Sequence, residues 1–174
     1  RFLMDVPKEI AKLRSMSAAE IFTGIYRRNE WGGTDSASGT GSDAYQTRII
    51  AIELPALIRS LGASSVLDVP CGDFHWMKDV DLTGIDYTGA DIVDELVQAN
   101  RAKYARDGVR FRRLDLSRDK LPSVDLVFCR DCLVHLSFED IALVLDNVCD
   151  SQCRYLLTTT FVDRTDNHDI LTGQ

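Results

Sequence analysis

The sequence lacks three features, each of which would define a class of protein. No apolar run approaches the ~18 residues that a bilayer-spanning helix needs, and no signal-peptide pattern opens the chain. Its 20 basic and 27 acidic side chains give a formal net charge of −7, and no basic patch suited to many phosphates stands out. We therefore expect no membrane and no nucleic acid as partner, and a small molecule or a protein instead.

The sequence also lacks the cysteine rhythm of a disulfide scaffold, because its cysteines number five. Cys129 and Cys132, with Cys149 and Cys153, are spaced loosely like zinc ligands. However, Cys129 falls inside an apolar strand pattern and Cys149 on the apolar face of a predicted helix. We interpret these thiols as small buried hydrophobic groups, expect no metal, and expect a reducing, cytoplasmic location.

The N-terminal part of the chain predicts helices followed by a long loop. Ser17 and Glu20 form a capping box, which predicts a helix to about residue 29 after a short one at 7–15. Residues 31–42, called the lid loop below, are rich in Gly, Ser and Thr. A loop of this length in a compact domain is functional or disordered. Ser42 can cap a third helix to residue 61, which we expect Pro55 to kink or split.

The rest of the chain alternates between strand and helix patterns. Strands are predicted near 65–70, 86–91, 109–114, 124–129 and 154–161, and helices near 73–80, 93–106 and 137–149. Alternation with strongly apolar strands predicts an α/β, Rossmann-like, doubly wound and mainly parallel sheet covered on both faces. We divide the chain into N-terminal helices with the lid loop (1–42) and the sheet domain (43–174), as one structural unit.

Acidic residues stand where three predicted strands end. Asp68 ends the first strand, and Gly72 follows in a tight turn. Asp91 lies 91 − 72 = 19 residues after Gly72, the distance at which a second strand presents a carboxylate to ribose hydroxyls. Asp115 closes the third strand. Because ligands bind beyond the carboxyl ends of such strands, these acids indicate a cofactor with a ribose, an adenine and a positive charge.

These residues resemble the class I S-adenosylmethionine-dependent methyltransferases. Their first motif, [D/E]-x-G-x-G-x-G, stands here as residues 68–74, with Pro70 and Phe74 in place of two glycines. The rest of the resemblance lies in residues 87–92, 115–116, 124–129 and 133–136. The Pro-Cys-Gly-Asp-Phe variant is similar to a bacterial subgroup whose acceptors are mostly unassigned.

The resemblance implies transfer of a methyl group from S-adenosylmethionine to an oxygen or nitrogen of a small-molecule acceptor, leaving S-adenosylhomocysteine. The superfamily sheet has seven strands, and only five are recognisable in this chain. The last strands are therefore missing, and since the chain opens on Arg1 without a methionine, we expect a fragment of a longer protein. A second copy covering the free sheet edge, as a homodimer, is the alternative expectation.

The resemblance also implies roles for individual residues. Asp68 is placed near the donor's amino group, Asp91 at the ribose and Asp115 at the adenine amino group. Other cofactor contacts are expected from Cys71, Gly72, Ile92, Leu116, Arg130, Trp31 and Gly41. Asp131 or His135 is the expected general base, where the acceptor must lose a proton.

Each assignment has a purely structural alternative. The three strand-end acids can cap a helix or hold a turn, Asp131 can orient Arg130, and His135 can be structural. A metal-assisted variant would use Asp131 with Asp166 and Asn167, but that pair comes several residues later than the pattern requires.

Two other functions remain open from sequence. A nicotinamide-dependent reductase shares the ribose-binding acid but requires G-x-G-x-x-G, which the turn at 70–74 lacks. A non-catalytic module that binds the cofactor would carry the same acids.

Overall fold

The computed structural model of the protein describes residues 6–33 and 35–174, with side chains from Ile10 onwards. The first five residues and Thr34, which belong to the predicted N-terminal region and lid loop, lie outside the described residues. Among the described helices, none combines the length and the apolar character needed to cross a membrane.

The described residues form one five-stranded sheet in which every neighbouring pair is parallel. The strands are β1 (Ser65–Asp68), β2 (Asp86–Asp91), β3 (Val109–Arg113), β4 (Leu126–Cys129) and β5 (Tyr155–Thr158), in the order β3-β2-β1-β4-β5. The predicted α/β class is confirmed. Strand order reverses between β1 and β4, and ligands bind at such a point in open parallel sheets.

Five α-helices lie within the described residues. They are α1 (Val6–Ser15), α2 (Ala18–Arg28), α3 (Ala44–Ser60), α4 (Asp94–Tyr104) and α5 (Phe138–Asp150). The capping box at Ser17 is confirmed, since Ser17 and Glu20 bond each other's backbone N–H groups. Helix α3 runs through Pro55 as one element, so the predicted split does not occur.

The helix predicted at 73–80 is wrong. This described stretch holds only a short 3-10 turn, Met77–Asp79. Phe74 has a φ of +58°, a left-handed conformation that an α-helix cannot accommodate. Its ring is only 1% exposed and packs against the rings of Tyr87, Tyr104 and Phe111. Burial of this large side chain therefore sets the backbone of the turn.

The sheet is covered on both faces, as predicted. Leu54 and Ile58 of α3, with Val97 of α4, pack on one face. Val144 and Val148 of α5 pack on the other, together with the partly buried Phe22 of α2. Two layers of helix therefore enclose the strands and leave their carboxyl ends accessible.

The cysteines are all free thiols, and all five lie within the described range 35–174. Cys71 and Cys129 are buried, as predicted, whereas Cys132 and Cys153 are half-buried. The prediction that Cys149 is buried is wrong. The face of α5 that meets the sheet is centred on Val144 and Val148, which leaves Cys149 exposed.

Candidate functional site

A single cleft of about 580 Å³ lies at the carboxyl ends of β1, β2, β3 and β4 and beneath the lid loop. Its volume is typical of a small-molecule site. The structure brings all twelve predicted site residues into its wall: Trp31, Gly41, Asp68, Cys71, Gly72, Asp91, Ile92, Asp115, Leu116, Arg130, Asp131 and His135. Residues from five separate parts of the chain therefore meet at one site.

Asp68 ends β1 in the floor of the cleft and is only 3% exposed. The hydroxyl group of Tyr87, on the neighbouring strand β2, donates a hydrogen bond to its Oδ2. Burial raises the pKa of Asp68 to about 7; the Tyr87 hydrogen bond and the charge of Arg130 oppose this rise, and the charge of Asp91 adds to it. A buried carboxyl group whose pKa lies near neutrality is suited to binding a cation.

Asp91 ends β2 and is 5% exposed. Its Oδ2 accepts a hydrogen bond from Gly72 N at 3.1 Å and its Oδ1 accepts one from Val93 N at 2.9 Å. Burial raises the pKa of Asp91 to about 6, while these backbone hydrogen bonds oppose the rise. Each carboxylate oxygen has a further lone pair, so this side chain can accept hydrogen bonds from a ligand as well.

Asp115 follows β3, where it holds the next loop and also lines the cleft. Its Oδ1 accepts hydrogen bonds from Ser117 N at 3.0 Å and Ser117 Oγ at 2.7 Å, which hold the start of the next loop. The residue nevertheless lines the cleft, beside the apolar side chains of Ile92 and Leu116. A flat aromatic ligand can lie between apolar groups here with a carboxylate at its edge.

The turn that follows β1 (residues 69–74, called the β1 turn) brings backbone close to the cleft. Gly72 has a φ of +55°, and a Cβ at this position would stand 2.1 Å from Ser38 Oγ. Its carbonyl oxygen accepts a hydrogen bond from Asn100 Nδ2 at 2.7 Å. Cys71 is buried, and burial raises the pKa of its thiol well above the usual range. The thiol is therefore protonated at neutral pH and forms part of the wall.

The lid loop is held against the β1 turn by Asp73. Asp73 Oδ2 accepts a hydrogen bond from Ala37 N at 2.7 Å, and Oδ1 accepts one from Ser36 Oγ at 3.0 Å. In the opposite direction, Asp73 N donates to Ser38 Oγ at 3.1 Å. The middle of the loop is thereby fixed above the turn.

Arg130, directly after β4, holds the end of the lid loop. Its Nη2 donates to the carbonyl oxygen of Gly41 at 2.8 Å and lies 2.9 Å from Asp131 Oδ2. The guanidinium group also lies 5.8 Å from the centre of the Trp76 ring. Asp131 has a φ of +50°, and its backbone N–H donates to Thr159 Oγ1 at 2.9 Å. The side chains of Arg130 and Asp131 thus form an ion pair in the wall of the cleft.

His135 and Trp31 form an aromatic part of the wall. Their ring centres lie 5.7 Å apart, and Trp31 is 6.3 Å from Phe22 of α2. His135 Nδ1 lies 3.3 Å from the carbonyl oxygen of Gln174. The Trp31 and His135 rings therefore form an aromatic patch in the wall of the cleft.

Comparison with known families finds a match for the central part of the chain. Residues 66–151 match a family model described as a methyltransferase domain. No curated protein sequence matches the chain. The matched segment, about half of the chain, is similar to a methyltransferase domain.

Solved structures share the fold of this methyltransferase domain. DhpI, in a complex with SAM and HEP, has a TM-score of 0.61 at 21% identity, over 86% of this chain and 70% of DhpI. Human N-acetylserotonin methyltransferase in complex with SAM has a TM-score of 0.56 at 20% identity, over 79% of this chain. SAM-bound CalS10, an amino pentose methyltransferase from Micromonospora echinaspora, has a TM-score of 0.54 at 15% identity, over 96% of this chain.

The methyltransferase domain is shorter than these proteins. It spans 39% of the length of the human enzyme and 61% of CalS10. At these identities the likeness establishes the fold.

In the described part of the methyltransferase domain, no group of three or more His, Cys, Asp or Glu side chains is placed to hold a metal ion. Asp131, which the metal-assisted variant would use, is paired with Arg130. The exposed Asp166 and Asn167 do not line the cleft.

Among the residues of this site that sequence reasoning missed, Asp73 makes the most contacts with the lid loop. Asp73 belongs to the motif of the β1 turn, but its contacts reach residues 35 to 37 positions earlier in the chain. The available signal was an acid next to Gly72 combined with a serine-rich loop elsewhere. Only the fold shows that the two segments touch.

Proposed function

We propose that this domain binds S-adenosylmethionine in the cleft and transfers its methyl group to an oxygen or nitrogen atom of a small-molecule acceptor. The observation that carries the proposal is the convergence of Asp68, Asp91 and Asp115 on one cleft at the switch point of the sheet. S-adenosylhomocysteine is the expected product.

The donor set fits the parts of the cofactor. Asp91 has lone pairs for both ribose hydroxyl groups, and such charge-assisted hydrogen bonds give orientation as well as affinity. Asp115 lies beside Ile92 and Leu116, a position suited to the adenine amino group and ring. Asp68 offers a negative charge to the amino group of the methionine part, and Arg130 offers a positive charge to its carboxylate. The order of polar and apolar groups along the cleft therefore corresponds to the order of the parts of the cofactor.

One sequence-based detail changes. The sequence predicts a helix near 73–80, whose first N–H groups would suit the methionine carboxylate, but the described chain has no α-helix there. In the proposal, Arg130 and the backbone of the lid loop take this role, because both border the cleft beside Asp68.

The cofactor supplies a methyl group bound to a positively charged sulfur. An acceptor lone pair forms the new bond to the methyl carbon while the carbon–sulfur bond breaks, and its electrons go to sulfur. Because this is an in-line displacement, the protein accelerates it mainly by positioning both reactants. Asp131 or His135 takes the proton that the acceptor loses, and Trp31 with His135 offers a flat surface on which the acceptor can lie.

The lid loop closes the cleft in this proposal. Its residues 36–41 lie against the β1 turn and Arg130, and Trp31 lies against His135. Closure would keep water from the reacting atoms. The division into a lid region (1–42) and a sheet domain (43–174) is part of the same proposal.

The structure gives less support to the alternative of a nicotinamide-dependent reductase than to a methyltransferase. Dinucleotide-binding folds bind the pyrophosphate at the start of the helix after β1, and this described segment holds only the 3-10 turn Met77–Asp79. A non-catalytic cofactor-binding module would use the same cleft, so only an activity assay separates it from an enzyme.

Calorimetric titration with S-adenosylhomocysteine and with NADH tests the cofactor. We expect S-adenosylhomocysteine to bind at micromolar concentrations and NADH to bind at least tenfold more weakly; tighter NADH binding would overturn the proposal. Release of S-adenosylhomocysteine across a panel of hydroxyl- and amine-bearing small molecules then tests transfer. If S-adenosylhomocysteine binds tightly but no acceptor in the panel causes its release, the non-catalytic module is favoured.

Three further expectations remain predictions. A cytoplasmic location is predicted because all five cysteines are free thiols, as is usual in a reducing compartment. A homodimer would cover β5, which forms one edge of the sheet. The net charge of −7 gives no support to a nucleic acid as partner.

A further inference from the structure

The contacts of Asp73 form a continuous connection between two parts of the cleft. On one side, the backbone N–H of Gly72 donates to Asp91 Oδ2 at 3.1 Å. On the other side, the next backbone N–H, that of Asp73, donates to Ser38 Oγ at 3.1 Å. Two consecutive peptide groups of the β1 turn therefore join the proposed ribose carboxylate to the lid loop.

The carboxylate of Asp73 strengthens this connection. It accepts hydrogen bonds from Ala37 N at 2.7 Å and Ser36 Oγ at 3.0 Å, and from His75 N at 3.2 Å within its own segment. Ser36 is only 2% exposed, so its hydroxyl group has little access to water as an alternative partner. Loss of the carboxylate would leave buried donors of the lid loop without their acceptor, which is costly.

The packing leaves this contact little freedom. A Cβ on Gly72 would stand 2.1 Å from Ser38 Oγ, and a Cβ on Gly39 would stand 2.9 Å from Trp31 Cβ. The lid loop therefore lies directly on the backbone of the β1 turn.

We infer that Asp73 is a positioning residue that couples occupancy of the cleft at Asp91 to closure of the lid loop. A ligand that bonds Asp91 fixes the carboxylate, the carboxylate fixes Gly72 N, and Asp73 transmits this order to residues 36–38. By linkage, closure of the loop strengthens ligand binding by the same factor. The inference rests on the proposed function only in placing the ribose at Asp91.

Amide hydrogen exchange of residues 36–39 tests the contact in the ligand-free protein. In Asp73→Asn, the amide of Ala37 faces an amide group in place of a carboxylate. We expect it to exchange about tenfold faster, the change that loss of a charge-assisted hydrogen bond produces. The matched control is Asp79→Asn, an exposed acid six positions later in the same segment, which should leave these amides unchanged. Equal exchange in Asp73→Asn and Asp79→Asn would overturn the inference.

The coupling is tested by adding saturating S-adenosylhomocysteine. In the unchanged protein and in Asp79→Asn, the ligand should slow exchange at Ala37 and Ser38 at least fivefold, and in Asp73→Asn it should not. If the ligand protects these amides equally in Asp73→Asn, the coupling role is wrong. If the unchanged protein does not bind the ligand, the proposed function fails, but the ligand-free comparison still decides whether Asp73 holds the loop.

A milder variant covers the case in which Asp73→Asn does not fold. Ser36→Ala removes the hydroxyl group that donates to Asp73 and accepts from Ser38 N at 3.1 Å, and it leaves the carboxylate and the Ala37 contact in place. We expect about threefold faster exchange at Ala37, whose own hydrogen bond to Asp73 is untouched. Ser38 is left out of this comparison, because its N–H loses the Ser36 hydroxyl group directly. No acceleration in a folded Ser36→Ala would contradict the inference.

Discussion

The carboxylate of Asp91 accepts a hydrogen bond from the backbone N–H of Gly72 at 3.1 Å. The 19 positions between these residues are the spacing from which the sequence predicts a ribose-binding acid. The two residues that this spacing relates are therefore also in contact in the folded chain. It places the acid of β2 directly beside the β1 turn, where a nucleoside would have to lie.

Asp91→Ala should weaken binding of S-adenosylhomocysteine at least tenfold, because a hydrogen bond to a charged group is worth about 1.5–3 kcal/mol. Isothermal titration calorimetry measures the change. The matched control is Asp94→Ala, an exposed acid in the first turn of α4, for which the dissociation constant should not move. An unchanged affinity in a folded Asp91→Ala would refute the ribose assignment.

Binding should depend on pH through Asp68. The pKa of this carboxyl group is raised to about 7, so it is ionised above that pH and progressively neutral below it. Since only the ionised form attracts the amino group of the ligand, affinity should fall about fivefold from pH 7 to pH 6. In Asp68→Asn the affinity should be low at both pH values and fall only about twofold, through Asp91, whose pKa is raised to about 6. A steep pH dependence that survives this substitution would assign the titration to another group.

Tyr87→Phe tests the cause of that pKa. The Tyr87 hydroxyl group donates to Asp68, which favours the ionised carboxylate and lowers its pKa. Removal of the hydroxyl group raises the pKa further, so the pH below which affinity falls should move up from about 7. Tyr104→Phe is the control, because Tyr104 packs on the same Phe74 ring. A midpoint that stays in place, or moves down, would contradict the argument.

Gly72→Ala and Gly62→Ala separate backbone strain from collision. Both glycines have positive φ, +55° and +62°, so both substitutions should destabilise the fold by about 1 kcal/mol. Only the Cβ at Gly72 meets Ser38 Oγ, at 2.1 Å, whereas that at Gly62 meets nothing within 4 Å. Thermal melts should therefore shift in both, while affinity for S-adenosylhomocysteine should fall only in Gly72→Ala. Similar affinities in the two variants would show that the close approach to Ser38 does not matter for binding.

Asp131→Asn and His135→Gln test the proposed base. Both residues border the part of the cleft beyond Arg130. The substitution that removes the base should lower turnover about tenfold or more, and both substitutions should leave affinity for S-adenosylhomocysteine within about twofold. Single-turnover assays with a responsive acceptor, run beside calorimetry, measure the two quantities separately. Loss of cofactor binding in both variants would make this segment structural or cofactor-directed.

The ends of the strands could be predicted from sequence because the pattern that marks each end lies within a few neighbouring residues. An apolar run that closes in Asp68, Asp91 or Asp115 fixes the end of a parallel strand, and parallel strands bring such ends to one edge. The structure accordingly gathers all twelve predicted site residues around one cleft.

The failures arise where packing between distant segments decides the outcome. Phe74 reads as part of a helix, but burial against Tyr87 and Phe111 requires left-handed backbone there. Cys149 lies on an apolar pattern of α5, yet the sheet contacts a different part of that helix. The partners of Asp73 are far away along the chain, and a single sequence carries no signal that joins them.

A crystal structure with S-adenosylhomocysteine tests the central claim most directly. We predict both ribose hydroxyl groups within about 3 Å of the Asp91 carboxylate and the adenine between Ile92 and Leu116, beside Asp115. Ligand density outside the cleft bordered by Asp68, Asp91 and Asp115 would contradict the account.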